Sequence, residues 1–388
     1  MTRRPPLAFI FTVTLTGILN NTLLTPAIPD ILAEFGVASS RSGLLVATGS
    51  VAGIVVAPMV GIIADRLGRR TVLTACLAIF GIFGALSALA PSFEVLLLAR
   101  ALQGVGSAGL INLAVVLIGD HWSGARRTHL IGRNSAVLTV GLATIPLISG
   151  AVTELTSWRV TFALFTVAVL TAAAAWWILE PGRPATTSTV SDQIKDALVV
   201  LRKPVLMATI SAGFVVFMIV FGLFLTVVPV HLASEFGLEA GARGVVIALP
   251  AVTSTLAAFN LGRISSFAGA RSVVIVSALG LAAAFATMGV AGTLVLIGVA
   301  ALIYGASEGA LIPLLQVLAV EHAPAEHRAA VIAAWVGFAR LGQTTGPLVA
   351  GVLIGVIGTG ATLVAGAAVS VVILLLGVVG PFPRTSAP

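Results

Sequence analysis

Charge is scarce in this chain of 388 residues: 9% are Asp, Glu, Lys or Arg, where about a quarter of a soluble chain is charged. That shortage excludes an ordinary soluble globule. Cysteine is scarcer still. Cys76 stands alone, so no intrachain disulfide forms and no thiolate metal cluster is possible. His121, His129, His231, His322 and His327 are all expected near the surface, and none pairs at a metal-ligating spacing, so no metal is expected. No P-loop is present, so ATP is not a direct fuel, and neither an organic cofactor nor catalysis in the enzymatic sense is expected. The net charge of +7 is spread over short loops rather than gathered into a groove-binding patch, which argues against a nucleic-acid partner. The basic start, Met1 to Pro6, has no small-residue cleavage site after a brief apolar core. The first apolar run continues to Pro26 and Pro29 and reads as a retained span.

Apolar length is what the chain has in quantity. Hydrophobic residues make up 58% and the mean hydropathy is +1.13. A bilayer crossing takes about 20 apolar residues as a helix. The runs predict an all-α polytopic membrane protein with twelve transmembrane helices, near 8–29, 43–63, 71–90, 94–119, 131–153, 159–180, 205–230, 243–262, 272–291, 294–320, 328–355 and 359–381. Basic loops stay on the cytoplasmic side. With the N-terminus inside, Arg3, Arg4, Arg66, Arg69, Arg70, Arg126, Arg127, Arg133, Arg183, Lys195, Arg202, Lys203, Arg263, Arg271, Arg328 and Arg384 fall inside. Only Arg41, Arg159 and Arg243 fall outside. The sorting predicts a multi-pass protein of the cell membrane with both termini cytoplasmic.

The longest polar interval, 181–204, splits the chain into an N-terminal bundle (1–180) and a C-terminal bundle (205–388) of six spans each. Ser191 is placed to cap a short surface helix over 192–201. The halves echo one another. Gly262 to Arg271 occupies after span eight the place that Gly61 to Arg70 occupies after span two, with Ser266 in place of Asp65. Two pseudo-symmetric six-helix bundles are therefore expected.

The stretch Gly61-Ile-Ile-Ala-Asp-Arg-Leu-Gly-Arg-Arg70 resembles the loop between helices two and three of the major facilitator superfamily. The resemblance implies that Asp65, Arg66, Arg69 and Arg70, with Gly61 and Gly68, form a cytoplasmic gate locking one half against the other. The plain alternative is a topogenic basic loop. Arg100-Ala-Leu-Gln-Gly-Val-Gly106 is similar to the family's helix-four pattern, which ties Arg100 to proton movement; hydrogen bonding to span-one groups such as Asn20 is the structural alternative. Gly141 to Gly150, with Pro146, resembles the family's antiporter signature in weakened form, and Gly342 to Gly351, with Gly346 and Pro347, is a better-kept second copy. A proline inside a span removes a backbone hydrogen bond and kinks it. Together these features resemble the drug:proton antiporter branch most closely. They imply alternating access about a midplane site at the interface of the halves.

Charges within the hydrocarbon are functional candidates by default. Arg100 in span four, Glu308 in span ten and Arg340 in span eleven are the three. Glu308 and Arg340 sit at similar depth on neighbouring helices and are expected to meet, either as a fixed pair or as one that opens and closes around a proton. A low dielectric makes a carboxyl hold its proton and a nearby Arg makes it release one, so the proton is the expected coupling ion. Asn20, Asn21, Gln103, Asn112 and Gln343, which do not titrate, are expected to line a polar cavity or bond across helices. Tyr304 and Trp335 are the aromatic ligand candidates. Phe214, Phe217, Phe221 and Phe224 recur at helical spacing and read as packing or lipid-facing. Trp158 and Arg159 read as an interfacial anchor, and Asp30 as a solvated acid at the outer end of span one.

A small-molecule cargo, the bilayer as surroundings and a monomeric state are the expected partners. Proton-coupled efflux, uptake or facilitated passage of a nutrient, and a non-transporting membrane sensor all remain open from these residues.

Overall fold

The structure, a computed structural model, describes residues 4–181, 203–324 and 328–383, apart from the side chains at 58, 61, 62, 65, 328 and 329. Nearly all of the expected linker 181–204, with its surface helix, lies outside the described residues. So do Arg183, Lys195, Arg202, His327 and Arg384.

Among the described residues every regular element is helical. Eleven helices are long and apolar enough to cross a membrane. The last of them, Ala330–Val379, counts 50 residues, about 75 Å at 1.5 Å per residue, more than twice the hydrocarbon thickness of about 30 Å. It is two crossings: Gly358, with φ 78° and ψ 174°, breaks it. The twelve expected spans are thus present. Spans one to eight are Leu7–Glu34, Ser42–Leu67, Arg69–Ser87, Phe93–His121, Gly124–Leu155, Trp158–Ile178, Pro204–Phe236 and Ala240–Phe259. Span nine covers 270–290, ten is Leu294–Glu321, and eleven and twelve cover 328–357 and 359–379.

Spans two and three join through Gly68 at φ 86°, ψ 147°. Eight and nine join through Gly269 at φ 76°, ψ 152°. Essentially only glycine enters this region of backbone space without strain. The echo between 61–70 and 262–271 is therefore one turn used twice.

Two apolar cores follow the two halves. One is built from residues between Phe9 and Leu179, joined by Val230. The other is built from residues between Leu206 and Phe382. Phe221 and Val336 pack against both. Lipid tails are as apolar as leucine, so close approach rather than water exclusion holds such helices together, and small residues permit it. A Cβ at Gly106 would lie 2.9 Å from Phe80 Cα, and one at Gly305 would lie 2.6 Å from Pro250 Cα.

Twelve crossings put both chain ends on one face, here the terminal face. Arg4 shares a surface pocket there with Asp120, His121 and Arg126 of the turn between spans four and five. The Arg271 N–H donates to Pro383 O at 3.1 Å. At the opposite, distal face three helices start on a side-chain cap: Ser92 accepts from the Val95 N–H, Ser157 from Val160 and Thr293 from Leu296. Each cap satisfies a backbone donor that the first turn leaves open.

Trp158, at the distal start of span six, is buried. Its indole N–H donates to Glu34, and Arg159 pairs with the same carboxylate at 2.8 Å while donating to Ala88 O and Ala90 O. The pair clamps the distal ends of spans one, three and six. An aromatic with one polar atom is stable in a core once that atom has a partner.

Candidate functional site

The halves meet along two helix crossings. Span five lies against span eight: a Cβ at Gly244 would sit 2.5 Å from Pro146 O, and one at Gly150 would sit 3.1 Å from Gly241 Cα. Span eleven lies against span two: a Cβ at Gly351 would sit 2.5 Å from Ser40 O, and one at Gly43 would sit 2.8 Å from the Pro347 carbonyl carbon. The two proline–glycine stretches, 141–150 and 342–351, therefore do the same work on opposite halves. Gly141, Gly342 and Gly346 point back into their own bundles: a Cβ would lie 2.8 Å from Leu15 Cδ2 of span one at Gly141, and 3.0 Å from Met218 N and 2.9 Å from the Met218 carbonyl carbon of span seven at Gly342 and Gly346.

Polar bonds seal the distal ends of these crossings. Arg243, 3% exposed, pairs with Asp30 and donates to Pro26 O at 2.9 Å and Leu238 O at 2.6 Å. The Gly241 N–H donates to Glu154 at 2.8 Å. Asp30, expected as a solvated acid, is instead half of an ion pair between the bundles. Its partner is one of only three bases assigned to the outer side from sequence. That scarcity was the available signal, but position in sequence does not say which acid an Arg will find.

At the terminal face Arg69 Nε bonds Asp120 at 3.2 Å, and the Arg70 guanidinium lies 3.9 Å over the Trp176 ring. Both contacts hold the loop to its own half. Arg66 is exposed; the side chain of Asp65, like position 61, is outside the description.

Arg100 is fully buried. Its guanidinium donates to Gln103 Oε1 at 2.6 Å and to Asn20 O at 2.9 Å, and the Asn20 amide donates to Gly49 O at 3.2 Å. A Cβ at Gly49 would lie 2.7 Å from Arg100 Nη2. Spans one, two and four thus close around one cation. The hydrogen bond to span one is present as the structural alternative required.

Glu308 and Arg340 do not meet. The Glu308 carboxylate accepts from Tyr304 Oη at 3.2 Å and from Ser254 of span eight. Arg340 points the other way, donating to Gln343 at 3.2 Å, with its side chain 3.2 Å from where a Gly53 Cβ would be. Neighbours in sequence are not neighbours in the fold here: span ten packs chiefly on spans eight and nine, and span eleven on spans seven and two, so the two groups find different surroundings.

The phenylalanine stripe of span seven is part of this region rather than a lipid face. Span seven carries a π-helical segment, Val220–Val227, in which the Thr226 hydroxyl donates five residues back to Phe221 O at 2.7 Å. Such segments concentrate at functional sites. Phe224 stacks on Tyr304 with ring centres 4.3 Å apart, and Phe217 meets Trp335 at 6.3 Å.

Asn112 is exposed, and Asn21 and Gln343 are half-buried. A buried bond that the sequence did not announce joins Thr14 of span one to Asn134 of span five at 2.7 Å. His231 is buried, contrary to the surface position expected, and its Nδ1 lies 3.0 Å from Thr359 Oγ1. No group of His, Cys, Asp or Glu among the described residues is arranged to hold a metal.

The family model of the Major Facilitator Superfamily matches residues 10–243 and 211–388. The bacillibactin exporter of Bacillus subtilis (strain 168) is 26% identical over 262 residues, covering 65% of each chain. The hexuronate transporter of the same organism is 25% identical over 255 residues, covering 63% of this chain and 60% of its own. The chain thus spans under two thirds of the length of these relatives. Among solved structures, the human organic anion transporter MFSD10 (TETRAN) superposes with a TM-score of 0.70 at 20% identity, covering 96% of this chain and 98% of its own. A POT family transporter in complex with 5-aminolevulinic acid reaches 0.80 at 13% identity, covering 96% and 95%. At such identities the structures share the fold.

Proposed function

This chain belongs to the Major Facilitator Superfamily, and we propose that it is a secondary transporter that exports small amphiphilic compounds across the cell membrane in exchange for protons. In this reading both termini are cytoplasmic, the distal face is external, and one chain suffices as the working unit. The observation that carries it is the distal closure: two separately cored bundles held at one end by Arg243–Asp30, Gly241–Glu154 and four backbone-close glycine contacts. Contacts of this kind open by rocking one rigid bundle on the other, which is how repeat-built carriers expose a midplane site to each side in turn.

Glu308 is the proton carrier in this reading. It is the one acid deep in the described spans, it is partly accessible, and Tyr304 and Ser254 hold it in place. Export is favoured by likeness to a curated exporter. Uptake is the second reading, favoured by likeness to a hexuronate transporter and by Ile145 and Ser149 standing where the antiporter signature has glycine. Everted vesicles separate the two: accumulation driven by interior acidification means export by exchange. Glu308→Gln is expected to abolish that drive while leaving downhill passage, and undiminished gradient-driven transport in the variant removes Glu308 as the coupler.

A further inference from the structure

Among the described residues, two guanidiniums inside the bundle, Arg100 and Arg340, have no carboxylate partner. Arg100 reaches span two at Gly49 and Arg340 reaches it at Gly53. Residues four apart lie one above the other on a helix, with Cβ positions about 5–6 Å apart. One cation from each half is therefore brought to neighbouring places on a single helix face. Each is steadied in the same way, by the Gln three residues on: Arg100 by Gln103 at 2.6 Å and Arg340 by Gln343 at 3.2 Å. Glutamine offers a dipole and no charge, so neither cation is neutralised.

The acid that would balance them is engaged elsewhere, since Glu308 bonds Tyr304 and Ser254. The ion pairs among the described residues, Arg41–Glu94, Arg69–Asp120, Arg159–Glu34 and Arg243–Asp30, leave both cations out. In the Arg100 cluster, moreover, its own Nε, the Gln103 amide nitrogen and Asn20 Oδ1 are buried without partners. An unpaired buried charge is costly and persists in membrane proteins mainly where it serves a ligand or ion path. Glycine at 49 and 53 lets each guanidinium lie directly against span two.

We propose that the Gly49–Gly53 face of span two, flanked by Arg100 and Arg340, binds an oxyanion group of the cargo, so that the transported compounds are amphiphilic organic anions. The carboxylate or equivalent group accepts from both halves at once, and the aromatic side chains of span seven and Trp335 supply apolar contact. This deepens the transport reading and rests on it. Planar forks matched to oxygen pairs make Arg the suited residue. Binding across the interface also couples cargo to the bundle motion.

The test is equilibrium dialysis of the full-length protein in nanodiscs against three probes of one shape: 1-naphthoate, 1-naphthamide and 1-naphthylmethylammonium. The naphthoate is expected to bind saturably, about tenfold or more tighter than either of the others. Arg340→Gln is expected to remove that preference and Arg340→Lys to keep part of it. Nanodiscs of phosphatidylcholine alone and with phosphatidylglycerol separate cargo from lipid. The inference requires naphthoate binding in both, and an anionic lipid that abolishes it makes the site a headgroup site and overturns the assignment. Equal or tighter binding of the ammonium probe, no naphthoate binding, or a preference unchanged in folded Arg340→Gln also overturns it. The wild-type preference needs no variant, so misfolding cannot hide the answer. Glu308-dependent, proton-driven flux of the amide or ammonium probe without naphthoate binding sinks the anion site and spares the transport reading. Naphthoate binding with no driven flux of any probe does the reverse.

Discussion

Removing Arg243 is expected to loosen the distal closure by an amount the structure sets. Three bonds leave this side chain, and only two cross between the halves, to Asp30 and to Pro26 O; the third, to Leu238 O, stays within its own half and drops out. A hydrogen bond to a charged group contributes about 1.5–3 kcal/mol. The Asp30 side chain is 34% exposed, so water screens part of its pairing. Deleting the Arg also relieves the cost of holding a cation that is 3% exposed, which offsets some of the loss. The net is about 1–3 kcal/mol in favour of the distally open form, or a roughly 5- to 150-fold change in the ratio of the two forms. Spin labels on cysteines placed at Thr156 and Gly292, both exposed at the distal face, report the ratio by double electron–electron resonance in a Cys76→Ser background. Arg243→Ala is expected to move population to the longer distance, and Arg243→Lys, which keeps the charge and loses the fork, to move about half as much in free energy. A folded Arg243→Ala protein whose distance distribution stays within about a factor of two of the parent, or about 0.4 kcal/mol, would refute the assignment of this cluster as a lock.

The remaining expectations concern glycine and one buried histidine. Gly351→Val inserts side-chain atoms where even a Cβ would sit 2.5 Å from Ser40 O; the same spin labels are expected to show opening without any change of charge, and a closed distribution would remove this crossing from the closure. Gly68→Ala forces a side chain into φ 86°, ψ 147° and is expected to cost about 1–3 kcal/mol, seen as a lower Tm in detergent. Gly132→Ala, in a helix with nothing within 4 Å of the added Cβ, is expected to raise Tm through a gain of about 0.5–1 kcal/mol; the opposite order would contradict the backbone assignment. Thr359→Val removes the partner of His231 Nδ1 and is expected to lower Tm through a loss of about 1 kcal/mol, with no effect on the distal distance distribution.

Much of the architecture was legible in residue order because its causes are local or nearly so. A run of about 20 apolar residues has to become a helix in lipid, since no other conformation satisfies the backbone there. The count of twelve followed from those runs, and Gly358 was needed to see that the final 50-residue helix is two. The matching turns at Gly68 and Gly269 were visible as a weak repeat, because a backbone shape that only glycine adopts leaves its mark in sequence. Arg100 and Glu308 stood out as well, because charge in hydrocarbon is rare for an energetic reason.

Tertiary structure decided who faces whom. Sequence gives the depth of a residue in a span and says little about its azimuth, because a uniformly apolar helix carries no polar stripe to orient it. That is why Glu308 and Arg340, expected to meet, turned to Ser254 and to Gly53 respectively. It is also why Asp30 found Arg243 across 213 residues of chain, and why the phenylalanines of span seven, one of them turned by a π-helical segment, met Tyr304 and Trp335. The length and order of the chain's apolar runs settled that it crosses a bilayer and how many times. The packing of one bundle against the other settled that Arg243 is spent on holding the halves together, while Arg100 and Arg340 find no carboxylate among the described residues.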